Sequence, residues 1–446
     1  MTIQPKPVTY LLPKLKSRIK RFLSEFYRVP YCVPAWDWAE HKAILKCIFT
    51  GTIIDGPQKE KLYELIRNKT GMKYVFGFNS GQQAILAALK AERIGTGDKV
   101  VMPSYCCETV AMAVVDSGAS PLFCDIGDDL NPDIENILKL IDLSVKSIIF
   151  PHLFGNPGAI DKLELALEKK GIRSQILLID DAAQSFGARL NGRLIGTFGD
   201  AGIISFGPGK TMTASGGGIL ITSSSDLAQN IQEIPTCHID FKYKLKRLIY
   251  WIIFRRWRRF TLPFYPFFSP VFKTKPKKQD SIYALCNVDA AIAVLQLKKL
   301  NDLIEIRVKR KEILDTLFTD FSDSFYLLPK NNSNSNFLNV ATKYAVYLKP
   351  ELVNQDSFNI YRNIMNDSGV EIQDLYVPIH MKAGYNNFRV SLLKTESQFN
   401  KIYQFPVEPS ISDQDFNYIL SRFMFFCKSL ASTKLLYSDR SSKHVT

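Results

Sequence analysis

The stretch that most constrains this chain runs from Ile176 to Leu220. An apolar run, Ile176–Ile179, ends on two carboxylates, Asp180 and Asp181. A second apolar run, Ala201–Phe206, leads to Lys210, which has Gly207 and Gly209 before it and Gly216–Gly218 after it. Short apolar runs bounded by turn residues predict buried parallel strands. Ligands of an open α/β sheet bind outside the carboxyl ends of its strands. One strand therefore offers a carboxylate there, and another offers an amine in a loop that lets backbone approach closely.

This pairing suits pyridoxal phosphate. A lysine amine condenses with the aldehyde, and a carboxylate keeps the pyridine nitrogen protonated so that the ring accepts electrons. Spacing alone also fits an ordinary surface lysine and a strand-end aspartate, which any α/β protein contains.

The surrounding chain alternates regularly. The pattern predicts a helix at Pro57–Lys69, then a Ser80–Gly81 turn opening a helix at Gln82–Glu92. Strands are expected at Lys99–Met102, Pro121–Asp125, Ser147–Phe150 and Gly217–Thr222, and helices at Glu108–Ser117, Asn131–Ile141 and Ile160–Lys170. Such alternation implies a mostly parallel sheet with helices on both faces. A Ser-Gly turn at a helix N-terminus caps the helix or binds an anion. From Ala290 a long amphipathic helix is expected to link two domains. A smaller α/β domain follows, with a strand at Tyr344–Leu348, a helix at Gln355–Ser368 and a capped last helix after Ser412.

The strings DDAAQSFGA, GTFGDAG, SFGPGK and GGG resemble the DegT/DnrJ/EryC1/StrS family of sugar aminotransferases. The resemblance implies a fold-type-I, aspartate-aminotransferase-like large domain with pyridoxal 5'-phosphate as cofactor. It implies that Asp181 meets the pyridine nitrogen, that Gln184 lies near the ring hydroxyl, and that Ser205, Ser80, Gly81 and Gln82 hold the phosphate. Lys210 would carry the cofactor and act as base and acid. Gln82 stands where threonine is usual, which removes a hydroxyl contact but keeps the backbone donors. Cys107 stands where many members place a stacking aromatic ring, so Tyr105 is the alternative ring. Ser215-Gly216-Gly217-Gly218 replaces the common Gly-Glu-Gly-Gly. Tyr376-Val-Pro-Ile-His380 resembles the family's Tyr-x-Pro-x-His, which leaves His380 as either a substrate-side residue or a structural one. No metal site is expected.

The formal net charge of +14 is concentrated. Twelve Lys and Arg residues, and no acid, fall between Phe241 and Gln279, where the family pattern is interrupted. Basic and aromatic residues together suit an anionic membrane surface, with Trp251, Trp257, Phe264, Tyr265, Phe267 and Phe268 inserting shallowly. A dimer contact or plain loop is the alternative, and single-stranded nucleic acid is a weaker one. The N-terminal sequence lacks the long apolar core of a signal peptide, and no apolar run is long enough to span a bilayer. The expectation is a cytoplasmic enzyme, possible membrane contact being peripheral and through 241–278.

The expected organisation is an arm at 1–48, a large cofactor domain at 49–236, the basic-aromatic insertion at 237–280, a linking helix and small domain at 281–431, and a disordered tail at 432–446. The resemblance further implies a homodimer that transfers an amino group, from glutamate, to a ketosugar nucleotide for polysaccharide biosynthesis. A dehydratase, an enzyme for another ketone and a catalytically silent binding protein remain open at this level.

Overall fold

The computed structural model describes residues 28–256, 281–319, 325–328, 336–349, 357–372 and 376–426. Most of the expected N-terminal arm, the second half of the basic insertion and the expected tail lie outside the described residues.

Two helices, α1 (Trp38–Phe49) and α2 (Gln58–Thr70), precede the sheet. The first is fixed by a reciprocal cap, in which Asp37 accepts from the first turn and Glu40 accepts from the Asp37 N–H. There follow β1 (Tyr74–Phe78), α3 (Gly81–Ala91), β2 (Lys99–Pro103), α4 (Glu108–Ser117), β3 (Ser120–Cys124) and α5 (Ile134–Leu140). Next come β4 (Val145–Pro151), α6 (Ile160–Lys169), β5 (Leu177–Asp181), the short β6 (Arg189–Leu190) and β7 (Arg193–Leu194), then β8 (Ala201–Ser205) and β9 (Gly218–Thr222). Seven strands form one sheet in the order β1-β9-β8-β5-β4-β2-β3. Only β9 runs against its neighbours. Strands β5 and β9 are buried along their whole length, as their continuous apolar runs require. Separate apolar cores cover the two faces of the sheet.

The expected helix over 131–141 starts three residues late, at Ile134. Asn131 is spent on its loop instead: its amide donates to Asp129 and to the Asn156 carbonyl, and its Oδ1 accepts from the Leu153 N–H. Asp133 becomes the cap.

After α7 (Ser225–Glu233), β10 (Thr236–Cys237) pairs with β11 (Ile282–Tyr283). Between them lies α8 (Phe241–Tyr250), continuing into a π-helical turn, Trp251–Arg256. Helix α8 corrects part of the membrane-surface reading. Lys244 is fully buried and paired with the equally buried Asp289, and both bond the Ser215 hydroxyl. Trp251 is 3% exposed and stacks on Trp36 with ring centroids 5.7 Å apart. Neither side chain is available to a lipid surface. Lys244, Leu248 and Trp251 share one helix face by spacing, so that face packs inward.

The expected single linking helix is two, α9 (Asn287–Lys298) and α10 (Leu300–Thr319). Helix α9 is buried on nearly all sides rather than along one stripe. The junction is Lys299, whose ammonium bonds Asp37 and Glu40 at the start of α1. Helix α10 joins two cores: Leu300 and Ile304 pack under the large sheet, while Leu314 and Phe318 enter a second core. That core lies on an antiparallel sheet of β12 (Phe325–Leu327), β14 (Tyr344–Leu348) and β15 (Ile402–Phe405), with α11 (Ser357–Asp367) and a last helix at 413–426. Strand β13 (Phe337–Leu338) pairs with β6, and the short α12 (Leu393–Gln398) completes the described elements. Among the described residues no helix is long and apolar enough to cross a membrane.

Removing one partner of a buried pair strands the other charge, at about 3–5 kcal/mol. Lys244→Met should therefore lower unfolding free energy by about that amount in urea titration, and adding Asp289→Asn should recover most of it. A single variant as stable as the parent would show that the pair does not hold α8 down.

Candidate active site

The carboxyl ends of β1, β4, β5 and β8 open on one cavity of about 310 Å3, within the range of small-molecule sites. It is lined by Ser80, Gly81, Gln82, Cys107, Asp181, Gln184, Ser205 and Lys210, all singled out in the sequence. Residues separated by up to 130 positions meet there because parallel strands deliver their ends to the same edge.

The two adjacent carboxylates have different surroundings. Asp180 is fully buried and satisfied: its Oδ2 accepts from the Gly196 and Phe198 N–H groups, and its Oδ1 faces His152 Nε2 at 3.0 Å. The Gly158 N–H donates to His152 Nδ1. The imidazole proton therefore sits on Nε2 and is donated to Asp180. Asp181, the next residue along the strand, lines the cavity instead. Its Oδ1 accepts from the Ala183 N–H. Burial pushes its carboxyl above the usual range, and the Ala183 N–H bond and Lys210 oppose that shift. A cationic partner in the cavity would draw it down again.

At the other end, Ser80 caps α3 by accepting from the Gln83 N–H. Gly81 packs closely: a Cβ there would sit 3.2 Å from Ser205 Cβ. That contact brings the start of α3 against the end of β8. Asn79 lines the same cavity. A helix N-terminus with hydroxyls suits a phosphate group. A carboxylate across the cavity suits a protonated ring nitrogen. The residues present thus fit pyridoxal phosphate.

Lys210 lies on the turn after β8. Gly209 before it adopts φ +69°, and a Cβ there would meet Cys32 Sγ at 2.8 Å. Arg307 holds the turn by donating to the Lys210 carbonyl at 3.3 Å. The Lys210 amine makes no hydrogen bond to any described residue.

Two sequence candidates are not brought into the cavity. Tyr105 is 1% exposed and packs edge-on to Tyr376, which lines the cavity in its place. His380 is wedged between the Ser104 hydroxyl and Glu396 and does not line the cavity. Among the lining residues that escaped the sequence reading are His152, Tyr376 and Arg247. Tyr376 stood in the Tyr-x-Pro-x-His segment, where only the histidine drew notice. His152 carried one signal, its place just past a strand end. Behind the cavity, Lys343 is buried with its amine 4.8 Å from the Tyr31 ring and 5.8 Å from the Tyr376 ring, and burial pushes its pKa down. No cluster of residues able to hold a metal occurs among the described residues.

This sheet and this site define a pyridoxal-phosphate-dependent aminotransferase of fold type I. The DegT/DnrJ/EryC1/StrS aminotransferase family matches residues 35–424, and the chain belongs to that family. A UDP-N-acetyl-3-dehydro-alpha-D-glucosamine 3-aminotransferase of Acidithiobacillus ferrooxidans is 34% identical over 189 residues, 42% of this chain and 50% of that one. GDP-perosamine synthase of Vibrio cholerae is 23% identical over 80% of this chain and 88% of its own. The crystal structure of NtdA from Bacillus subtilis, with bound cofactor PMP, superposes with TM-score 0.67 and 20% identity, covering 88% of this chain and 83% of that one.

A prediction follows from Asp181. Below the ordinary carboxylate range it is protonated in both folded and unfolded chains and carries no penalty. As pH rises through its raised folded value, stability is lost. In the cofactor-free protein, Asp181→Asn should therefore raise the thermal midpoint at neutral pH, with the gain shrinking on acidification. A gain independent of pH would mean that the buried charge is not its cause.

Proposed function

We propose that this chain transfers an amino group from an amino-acid donor to a ketosugar nucleotide, using the cavity at the strand ends. One observation carries the reading: Asp181, Gln184, Ser205, Lys210 and the Ser80–Gly81 helix start line a single cavity of suitable size. The substrate class is supported by the relatives named for aminated nucleotide sugars.

Bound there, pyridoxal phosphate supplies an aldehyde that accepts the amino group and a ring that withdraws electrons. The chain's own residues do the rest. Asp181 holds a proton on the ring nitrogen, and its burial makes that pairing favourable. Ser80, the Gly81 and Gln82 N–H groups and Ser205 hold the phosphate at the start of α3. The Lys210 amine, once free, moves the proton of the donor carbon as base and returns it as acid. Gly209 and Arg307 fix the turn from which it reaches. Tyr376 and His152 are the aromatic rings that line the cavity, since Cys107 offers none.

The working unit is a homodimer. Supporting this, α1 presents Trp38, Leu45, Ile48 and Phe49 to solvent, Phe49 at 84% exposure. An apolar helix face of that kind suits a second copy. Contact with an anionic membrane rests on the exposed Lys242 and Lys246 of α8 and on the cations after it, most of which lie outside the described residues.

Borohydride treatment of the protein with pyridoxal phosphate, followed by peptide mapping, should attach the cofactor to Lys210. Attachment to another lysine would sink the assignment. Lys210→Ala should lower the rate of amino transfer from glutamate by at least about 10²-fold. Transfer should be measured against a panel of ketosugar nucleotides by mass spectrometry. For the dimer, light scattering should give twice the chain mass, and Phe49→Glu with Trp38→Glu should halve it. A fully active monomer would contradict the dimer.

A further inference from the structure

The segment that interrupts the family pattern carries one side chain into the cavity. We propose that Arg247 is an anion-binding residue of this site, a guanidinium that takes the phosphate ester of the cofactor. The inference rests on the reading of the cavity just given and adds a ligand that the matching motifs do not contain.

Arg247 lines the cavity together with Ser80, Gly81, Ser205, Gly216 and Gly217. Apart from Lys210, it is the only Lys or Arg among the described lining residues. The phosphate ligands expected from the sequence are all neutral donors, so a cation beside them would add a charged contact to the phosphate. Lys210 is committed to the aldehyde. Arg247 Nη2 donates to the Ser215 carbonyl at 3.1 Å, and its guanidinium lies 5.9 Å from the Tyr243 ring centroid. No carboxylate among the described residues pairs with it, and its remaining N–H groups have no partner there.

The loop beside it lies close to the guanidinium. A Cβ at Gly216 would stand 3.2 Å from Arg247 Nη2 and 3.6 Å from the Asn79 carbonyl. The neighbouring Gly217 N–H donates to that same carbonyl at 2.7 Å, and Gly217 bridges to Ser80. The guanidinium therefore lies against the loop that is hydrogen-bonded to the start of α3.

Helix α8 holds Arg247 in place. Asp240 caps it, the Lys244–Asp289 pair pins its first turn, and Leu248 and Trp251 bury its far end. A planar fork fixed in this way bonds phosphate through two parallel N–H groups.

The test is equilibrium binding of pyridoxal phosphate and of pyridoxal, which lacks the phosphate, to the full-length protein freed of cofactor. Parent, Arg247→Ala, Arg247→Gln and Arg247→Lys are compared by absorbance titration, with near-UV circular dichroism to check the fold. Loss of a charged contact should weaken pyridoxal phosphate about tenfold to a hundredfold in the Ala and Gln variants. Pyridoxal affinity should be unchanged, and Arg247→Lys should recover part of the loss. Inorganic phosphate should compete with pyridoxal phosphate better in the parent than in Arg247→Ala. Unchanged pyridoxal phosphate affinity would overturn the proposal. Equal losses on both compounds would also overturn it, pointing to a disturbed wall rather than a lost phosphate contact. Intact cofactor binding with a raised KM for a sugar nucleotide would assign the arginine to the substrate diphosphate instead, against the proposal. A parent that binds neither compound would overturn the reading of the whole cavity, recognisable because parent and variants fail alike.

Discussion

The cavity depends on a carboxylate that does not face it. Asp180 sits at the end of the central strand β5, between Phe150 of β4 and Gly202 of β8. It gathers three donors, from His152 on one side and from the Gly196–Phe198 turn on the other. A buried carboxylate left unpaired would be expensive, so these bonds tie both flanking segments to the strand. Gly202 shows how tight the arrangement is, since a Cβ there would overlap the Gly196 carbonyl. Only because Asp180 is spent on structure can its neighbour be left for the cavity. Two adjacent aspartates thus take separate tasks through environment alone.

The basic segment is divided in a similar way. Its composition reads as one solvated, lipid-seeking surface, yet α8 sorts its cations by helical phase. Lys242 and Lys246 are exposed, Lys244 is buried in an ion pair, and Arg247 reaches the cavity wall. The insertion is therefore part of the architecture around the site, at least through Trp251. An insertion that packs its first helix against the glycine loop can change what the loop binds.

Much of this was legible in the sequence. Strand and helix positions follow from periods of two and 3.6 and from turn residues, which are properties of near neighbours. The relation of Lys210 to Ser205 was legible for the same reason, because both lie on one short strand-turn unit. Asp181 was distinguished from Asp180 by resemblance, and the hydrogen bonds supply the physical ground for the distinction. The break between α9 and α10 was not legible, since the apolar pattern runs on through Lys299. The residue at the break bonds a pair of acids at the start of α1, more than 250 residues away.

By itself, then, the sequence determined the alternating α/β order, the family, and the groups that can meet a phosphorylated pyridine cofactor. Tertiary structure decided which side chains share the cavity. It drew in Tyr376 rather than Tyr105, left His380 between Ser104 and Glu396, and brought Arg247 beside a loop 31 residues earlier. The physical reason is that local pattern records which way a side chain faces along its own element. Which elements cross at the strand ends depends on how all the buried faces of the chain are satisfied together.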